Sequence, residues 1–346
     1  MKKLELDSII DLSSEIGADI KLVQGAGGNV SLKCGNDFWI KVSGAWLADA
    51  RRHSIFVRLG LNEVLSALAK GNADLSTCLL DNTGLRPSIE TSLHAIMRQA
   101  VVVHVHSINS ISWGVRIGGK IEVAKKLNGL SWDWVDYYRP GFPLTHAVQS
   151  KLNGNPNLAV LLLANHGLVV AAETAKEAHS LLKEVDMRLL PQSKHISKID
   201  IDKINELAKL IPPGSRLPSI QQVHLLAQDE NVMAIARTGA LYPDHVVFLG
   251  ASTVIIQLAE KYLLDDLLAK APYFVIIAGL GVVLGSACSA SAEAMLECLA
   301  ILAPTLPSKD QLRFLNSEEI FELINWDAEK ARQNANKNRK NISTIN

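Results

Sequence analysis

The chain has 346 residues, 48% hydrophobic and 20% charged, with 35 basic and 35 acidic side chains that cancel. That length buries a full core and suits two subdomains, or one large domain with an extension. A neutral chain of ordinary composition is not expected to bind nucleic acid or a membrane surface. Cys34, Cys78, Cys288 and Cys298 show no Cys-x-x-Cys spacing, which predicts reduced thiols in a cytoplasmic protein. Acidic residues within 1–7 interrupt the stretch where a signal peptide would be apolar.

Helical spacing predicts a first helix over 6–23, followed by a glycine-rich turn at Gly25-Ala-Gly-Gly-Asn29. Residues 30–33 and 38–42 read as a hairpin, with a second turn at Ser43-Gly44. A helix is predicted over 62–70 with Asn62 as its cap, and another after Arg86-Pro87, capped by Ser88 and carrying Glu90 and His94. Val101-Val-Val-His-Val-His106 reads as a buried strand, followed by helices near 107–115 and 143–152. Strands at 159–163 and 168–171 flank an Asn-His-Gly turn, and a helix over 175–190 stops at Pro191.

The polar stretch 192–219, with Pro212-Pro213-Gly214, is the predicted boundary between subdomains. Beyond it, strands are expected at 246–249 and 273–278, and helices at 253–268 and 290–302. The uncharged stretch between Lys270 and Glu293 is long enough to span a bilayer, but Pro272, Gly279, Gly281 and Gly285 break it into strand, turn, strand and helix. Laying 164–170 over 278–284 suggests a degenerate partial repeat, with Leu280 where His166 stood. The domains are therefore read as 1–195 for the catalytic part and 196–330 for an α/β extension, with a polar, basic, disordered tail over 331–346.

Chemistry concentrates in the first part. Strand side chains two apart share a face, so His104 and His106 project together and can serve one divalent ion. A catalytic zinc site needs three protein ligands and an open position, and His166, beside a glycine that allows close backbone approach, is the candidate third. Glu90 and His94, four apart on a predicted helix, share a face that leads into the histidine strand. A carboxylate delivered there can remove a proton that the metal has acidified.

Five stretches occur in order: Gly27-Gly-Asn-Val-Ser31, Ile40-Lys-Val-Ser-Gly44, Arg86-Pro-Ser-Ile-Glu90 with His94, His104-Val-His106, and Asn165-His-Gly-Leu168. Together they resemble the class II aldolase/adducin family. The likeness is nearest to the aldolase part of bifunctional rhamnulose-phosphate aldolase/alcohol dehydrogenases, which share the Arg139-Pro-Gly-Phe142 run and an extension like 200–330. The resemblance implies a three-layer α/β/α fold around a mostly antiparallel sheet, assembled as a homo-oligomer, usually a tetramer. It also implies zinc, or another divalent metal, on His104, His106 and His166, and Glu90 as the acid/base. Asn29, Ser43, Gly44 and Ser88 would cradle a substrate phosphate.

Two departures stand out. Ile89 occupies a position where phosphate-binding relatives often have a second serine. The tyrosine that relatives take from a neighbouring subunit is not placed, although Tyr137 and Tyr138 lie in its region. The expected activity is cleavage of a C–C bond in a small ketose or ketose phosphate through an enediolate. A sugar-acid phosphate decarboxylase or an epimerase would use the same site, epimerases tending to carry aspartate at the position of Glu90. An adducin-like assembly protein would typically have lost the histidines.

Overall fold

The computed structural model describes residues 2–81, 83–191, 198–270 and 273–337. These described residues divide into two units: those within 2–114, 118–190 and 322–337 form the first, and those within 115–117 and 191–321 form the second. The first unit therefore draws on both ends of the chain.

The first unit is built on a seven-stranded sheet. In chain order the strands are β1 (Asn29–Cys34), β2 (Asp37–Lys41), β3 (Phe56–Gly60), β4 (Val101–Val105), β5 (Trp132–Val135), β6 (Val160–Leu163) and β7 (Gly167–Ala172). Their spatial order is β3-β2-β1-β4-β7-β6-β5, antiparallel throughout except for the parallel β5/β6 pair. Every residue of β4 is buried. A strand covered on both faces needs a continuous apolar, β-branched run, and Val101-Val-Val-His-Val105 provides one.

Alternation along β4 sorts the core. Val101, Val103 and Val105 pack with Leu12 and Ile16 of α1 (Lys2–Ala18) and with Leu182 and Val185 of a later helix, Ala175–Arg188. Val102 faces the other way, onto Leu93 of α2 (Thr91–Ile96) and Leu144, Val148 and Leu152 of α3 (Phe142–Gly154). The result is helices on both faces of a mostly antiparallel sheet, the α/β architecture expected. The Ala175–Arg188 helix, α4, starts on a capping box in which Thr174 and Glu177 exchange side-chain-to-backbone bonds. Pro143 opens α3, where a missing N–H costs nothing.

The second unit holds a three-stranded sheet of order β10-β9-β8, with β8 (Ile255–Ile256), β9 (Phe274–Ile277) and β10 (Gly281–Leu284). The uncharged stretch between Lys270 and Glu293 supplies β9, β10 and the start of a helix at Ala290–Leu302. Among the described residues no helix is long and apolar enough to cross a membrane.

Several sequence expectations are corrected. Residues 246–249 are helical, within Pro243–Leu249. Pro243 in the first turn, Asp244 beside it and Gly250 at φ 86° bracket a helix and override the strand preference of Val246-Val247. The expected 253–268 helix is broken up: Ile255-Ile256 pairs in parallel with Ile276-Ile277, and α-helix forms only over Leu264–Leu268. The helix at Leu61–Ala69 is capped by Gly60 and not by Asn62.

The boundary stretch contains a helix at Ile201–Ala208, and residues 192–197 lie outside the described residues. A helix also occupies Asp327–Lys337, where disorder was expected from 331 onward. Glu329 and Arg332 in it are buried, so one side of this polar helix is docked. Residues 338–346 lie outside the described residues.

Candidate metal centre and active site

His104, in β4, and His106, just past its end, point to the face that carries α2. His166 arrives from the β6–β7 turn, where Asn165 takes φ 49°, a left-handed conformation that asparagine tolerates better than most residues. The three ring centroids lie 4.9–5.4 Å apart. One nitrogen of each ring falls within 4.8 Å of the other two, and His104 Nε2 is 3.1 Å from His106 Nε2. All three side chains are buried, at 0–4% exposure.

Gly167 makes this convergence feasible. A β-carbon there would overlap the Val105 carbonyl oxygen and sit 3.2 Å from ring atoms of both His104 and His106. On the other side, Gly28 turns at φ 64° with space for no β-carbon against the His104 carbonyl. His104 Nδ1 lies 3.0 Å from the Leu168 carbonyl. Donation of that N–H fixes the tautomer and leaves Nε2 as a lone-pair donor, the usual support for a metal-binding imidazole. The donor set therefore fits a divalent cation: three imidazole nitrogens, closely spaced, in a buried pocket.

Glu90 completes the cluster. Its carboxylate is 3.5 Å from His104 Nε2 and 3.4 Å from His166 Nε2, and it accepts a 2.6 Å hydrogen bond from Asn29 Nδ2. Burial alone would push this carboxyl up. The surrounding histidines, His104 foremost, outweigh it and hold the group down at about 2, so Glu90 is ionised at neutral pH. Burial pushes His94 down as well, to about 3, against the opposing pull of Glu90.

The placement of Glu90 differs from the sequence reading. The helix begins at Thr91, and Glu90 is its N-cap at φ −101°. Ser88 Oγ accepts the Glu90 N–H at 3.2 Å, and the Ser88 carbonyl accepts from Thr91. Serine's tendency to bond backbone two residues on thus makes a turn that holds Glu90 ahead of the helix.

The remaining candidates fall into two groups. Asn29 is buried beside Glu90. Ser43 and Ser88 line a cavity of about 680 Å³ together with Arg86, Ile89, Ser92, Arg139 and Trp326. Gly44 follows Ser43 at φ 80°. The Ser43 N–H donates to Arg86 and the Ser88 N–H to Lys41, lacing the two turns together. Tyr138 is exposed and Tyr137 half-buried.

Sequence reasoning missed Ser31, whose Oγ is 2.8 Å from His94 Nδ1, and Lys33, whose ammonium donates to the carbonyls of His94 and Met97. Burial lowers the Lys33 ammonium to about 8. It also missed Arg139, stacked on Trp326 at 4.5 Å in the cavity wall. The alternation of polar residues in Asn29-Val-Ser-Leu-Lys33 was the available signal.

Residues 8–189 match the family model of the class II aldolase and adducin N-terminal domain, over half of the chain. The uncharacterized oxidoreductase YuxG of Bacillus subtilis (strain 168) is 28% identical over 282 residues, covering 70% of this chain and 41% of that protein. The chain thus spans about two fifths of that curated relative. Among solved structures, the N-terminal class II aldolase domain of a conserved Thermoplasma acidophilum protein is similar at 26% identity and a TM-score of 0.48, over 54% of this chain and 92% of that one. L-fuculose-1-phosphate aldolase from Thermus thermophilus is similar at 16% identity and a TM-score of 0.39, over 55% of this chain and 93% of that one.

Proposed function

The chain belongs to the class II aldolase and adducin family, and on that premise we propose that it is a divalent-metal-dependent aldolase. It cleaves a C–C bond of a ketose or ketose phosphate, working as a cytoplasmic homo-oligomer. One observation supports this reading above the others: three buried imidazoles within 4.8 Å of one another, with an ionised carboxylate 3.4–3.5 Å from two of them. His104, His106 and His166 would hold the ion, zinc by the chemistry of the donor set. When bound, such an ion withdraws electrons from a substrate carbonyl and stabilises the negative charge left by bond cleavage.

The chain's own groups do the rest. Glu90, ionised at neutral pH, takes the hydroxyl proton whose loss starts retro-aldol cleavage, and returns it to carbon as the enediolate collapses. Asn29 keeps one carboxylate oxygen engaged while the other faces His166. The near-complete burial of the cluster keeps bulk water from protonating the carbanion early. Ser43, Gly44 and Ser88 take the phosphate, with Arg86 and Arg139 lining the same cavity as the two serines. Ile89 leaves one hydroxyl fewer for that task.

The test is chelation, then restoration with zinc or another divalent ion, on a panel of ketose phosphates with the aldehyde fragment measured. Full activity of a metal-free His104→Ala, His106→Ala protein overturns the proposal. Carbon dioxide as product, or inversion without net cleavage, reassigns the same site to a decarboxylase or an epimerase.

A further inference from the structure

Asn29, Ser31 and Lys33 occupy alternate positions of β1, between the core residues Val30 and Leu32. Polar residues at every second strand position ordinarily face water. Here all three are buried, and each is bonded to the segment that carries Glu90. Asn29 donates to the Glu90 carboxylate at 2.6 Å, Ser31 meets His94 Nδ1 at 2.8 Å, and Lys33 donates to the carbonyls of His94, at 3.0 Å, and Met97. These contacts run the length of α2, from its N-cap Glu90 to its C-cap Met97.

A helix of six residues cannot hold its own position. The row on β1 fixes both its slide and its rotation, and Lys33 satisfies carbonyls that the helix end leaves open. The sheet register places Asn29 directly opposite His104, so the residue that grips Glu90 is anchored to the strand bearing the imidazoles.

We propose that Asn29, Ser31 and Lys33 are positioning residues that set the Glu90 carboxylate against His104 and His166. This rests on Glu90 being the acid/base, as argued above.

The test compares single and double variants of the zinc-loaded protein on the same ketose-phosphate panel, with the visible spectrum of the Co²⁺-loaded protein as a second readout. Asn29→Ala is expected to lower kcat by about 10- to 100-fold while KM stays within about twofold. Asn29→Asp keeps the shape but loses the donating amide, and is expected to show the same loss. In a Glu90→Gln background Asn29→Ala should change neither kcat nor the Co²⁺ bands further, because it acts through Glu90. Ser31→Ala and Lys33→Met should show smaller kcat losses of the same kind. A rise in KM alone for Asn29→Ala, a fully active Asn29→Asp, or additive effects in the double variant overturns the positioning role. Full activity of Glu90→Gln instead overturns the reading of Glu90 on which it rests.

Discussion

In the first unit Leu163 pairs with Gly167 across a turn in which Asn165 has φ 49°; in the second, Ile277 pairs with Gly281 across a turn in which Gly279 has φ 74°. Each hairpin has a parallel strand on its outer side, β5 or β8, and each is followed by a helix. Both glycines also lie under imidazoles. A β-carbon at Gly167 would meet His104 and His106, and one at Gly281 would lie 2.5 Å from His224 Nδ1 and 2.7 Å from Leu207. The difference is in what those imidazoles do. His104 and His106 turn nitrogens toward each other, His166 and Glu90, whereas His224 Nδ1 accepts the Val282 N–H at 3.1 Å. Leu280, in the place of His166, is buried. One hairpin geometry thus serves two ends: the glycine sets how closely the backbone approaches, and the neighbours decide whether the space holds a reactive cluster or a packed core.

Substituting the two glycines should break this comparison most sharply. Gly167→Ala is expected to weaken zinc binding by about 100-fold or more, since both rings must shift. Gly281→Ala should leave one metal per chain and cost about 1–3 kcal/mol of stability. Titration calorimetry with Zn²⁺ and denaturant unfolding measure the two effects.

A reciprocal exchange comes next. His166→Leu should cut zinc affinity by at least about tenfold, whereas Leu280→His should add no second equivalent, because His224 is already engaged by backbone. Atomic emission on dialysed protein counts the metal, and a second equivalent in Leu280→His would refute the distinction.

The smallest effect is on pH dependence. Burial pushes His224 down to about 4, so it stays neutral in the fold while the unfolded chain takes up a proton near pH 6.5. The unfolded state then binds more protons between about pH 6.5 and 4, and stability falls as pH is lowered through that window. His224→Gln, which keeps an acceptor for Val282, should lose less stability between pH 7 and 4.5 in urea midpoints. Glu90 acts lower: held at about 2, it supports the fold above its unfolded value near 4.3, and that support goes as pH falls toward 2.

Much of the first unit was legible because its signals are local. The valine run of β4 and the Asn-His-Gly turn each declare themselves within a few residues, and the shared face of His104 and His106 follows from strand alternation alone. What escaped depends on partners distant in sequence. Asn29 was assigned only to the substrate phosphate, and Ser31 and Lys33 were given no role, because nothing near them in sequence says that α2 will cover that face of β1. Glu90 was expected inside a helix, since the sequence does not reveal that Ser88 would bend the chain first. The Pro243–Leu249 helix was missed because two adjacent valines outweighed a proline start and a glycine stop.

The docked Asp327–Lys337 helix has a consequence for how the molecule is made. Trp326 lies 3.1 Å from where a Gly141 β-carbon would stand and stacks on Arg139, and both belong to the first unit. A fragment ending at 190 would keep His104, His106, His166 and Glu90, yet lack the Trp326 indole that walls the cavity. On the ribosome, that wall can be put in place only after the whole second unit has been translated.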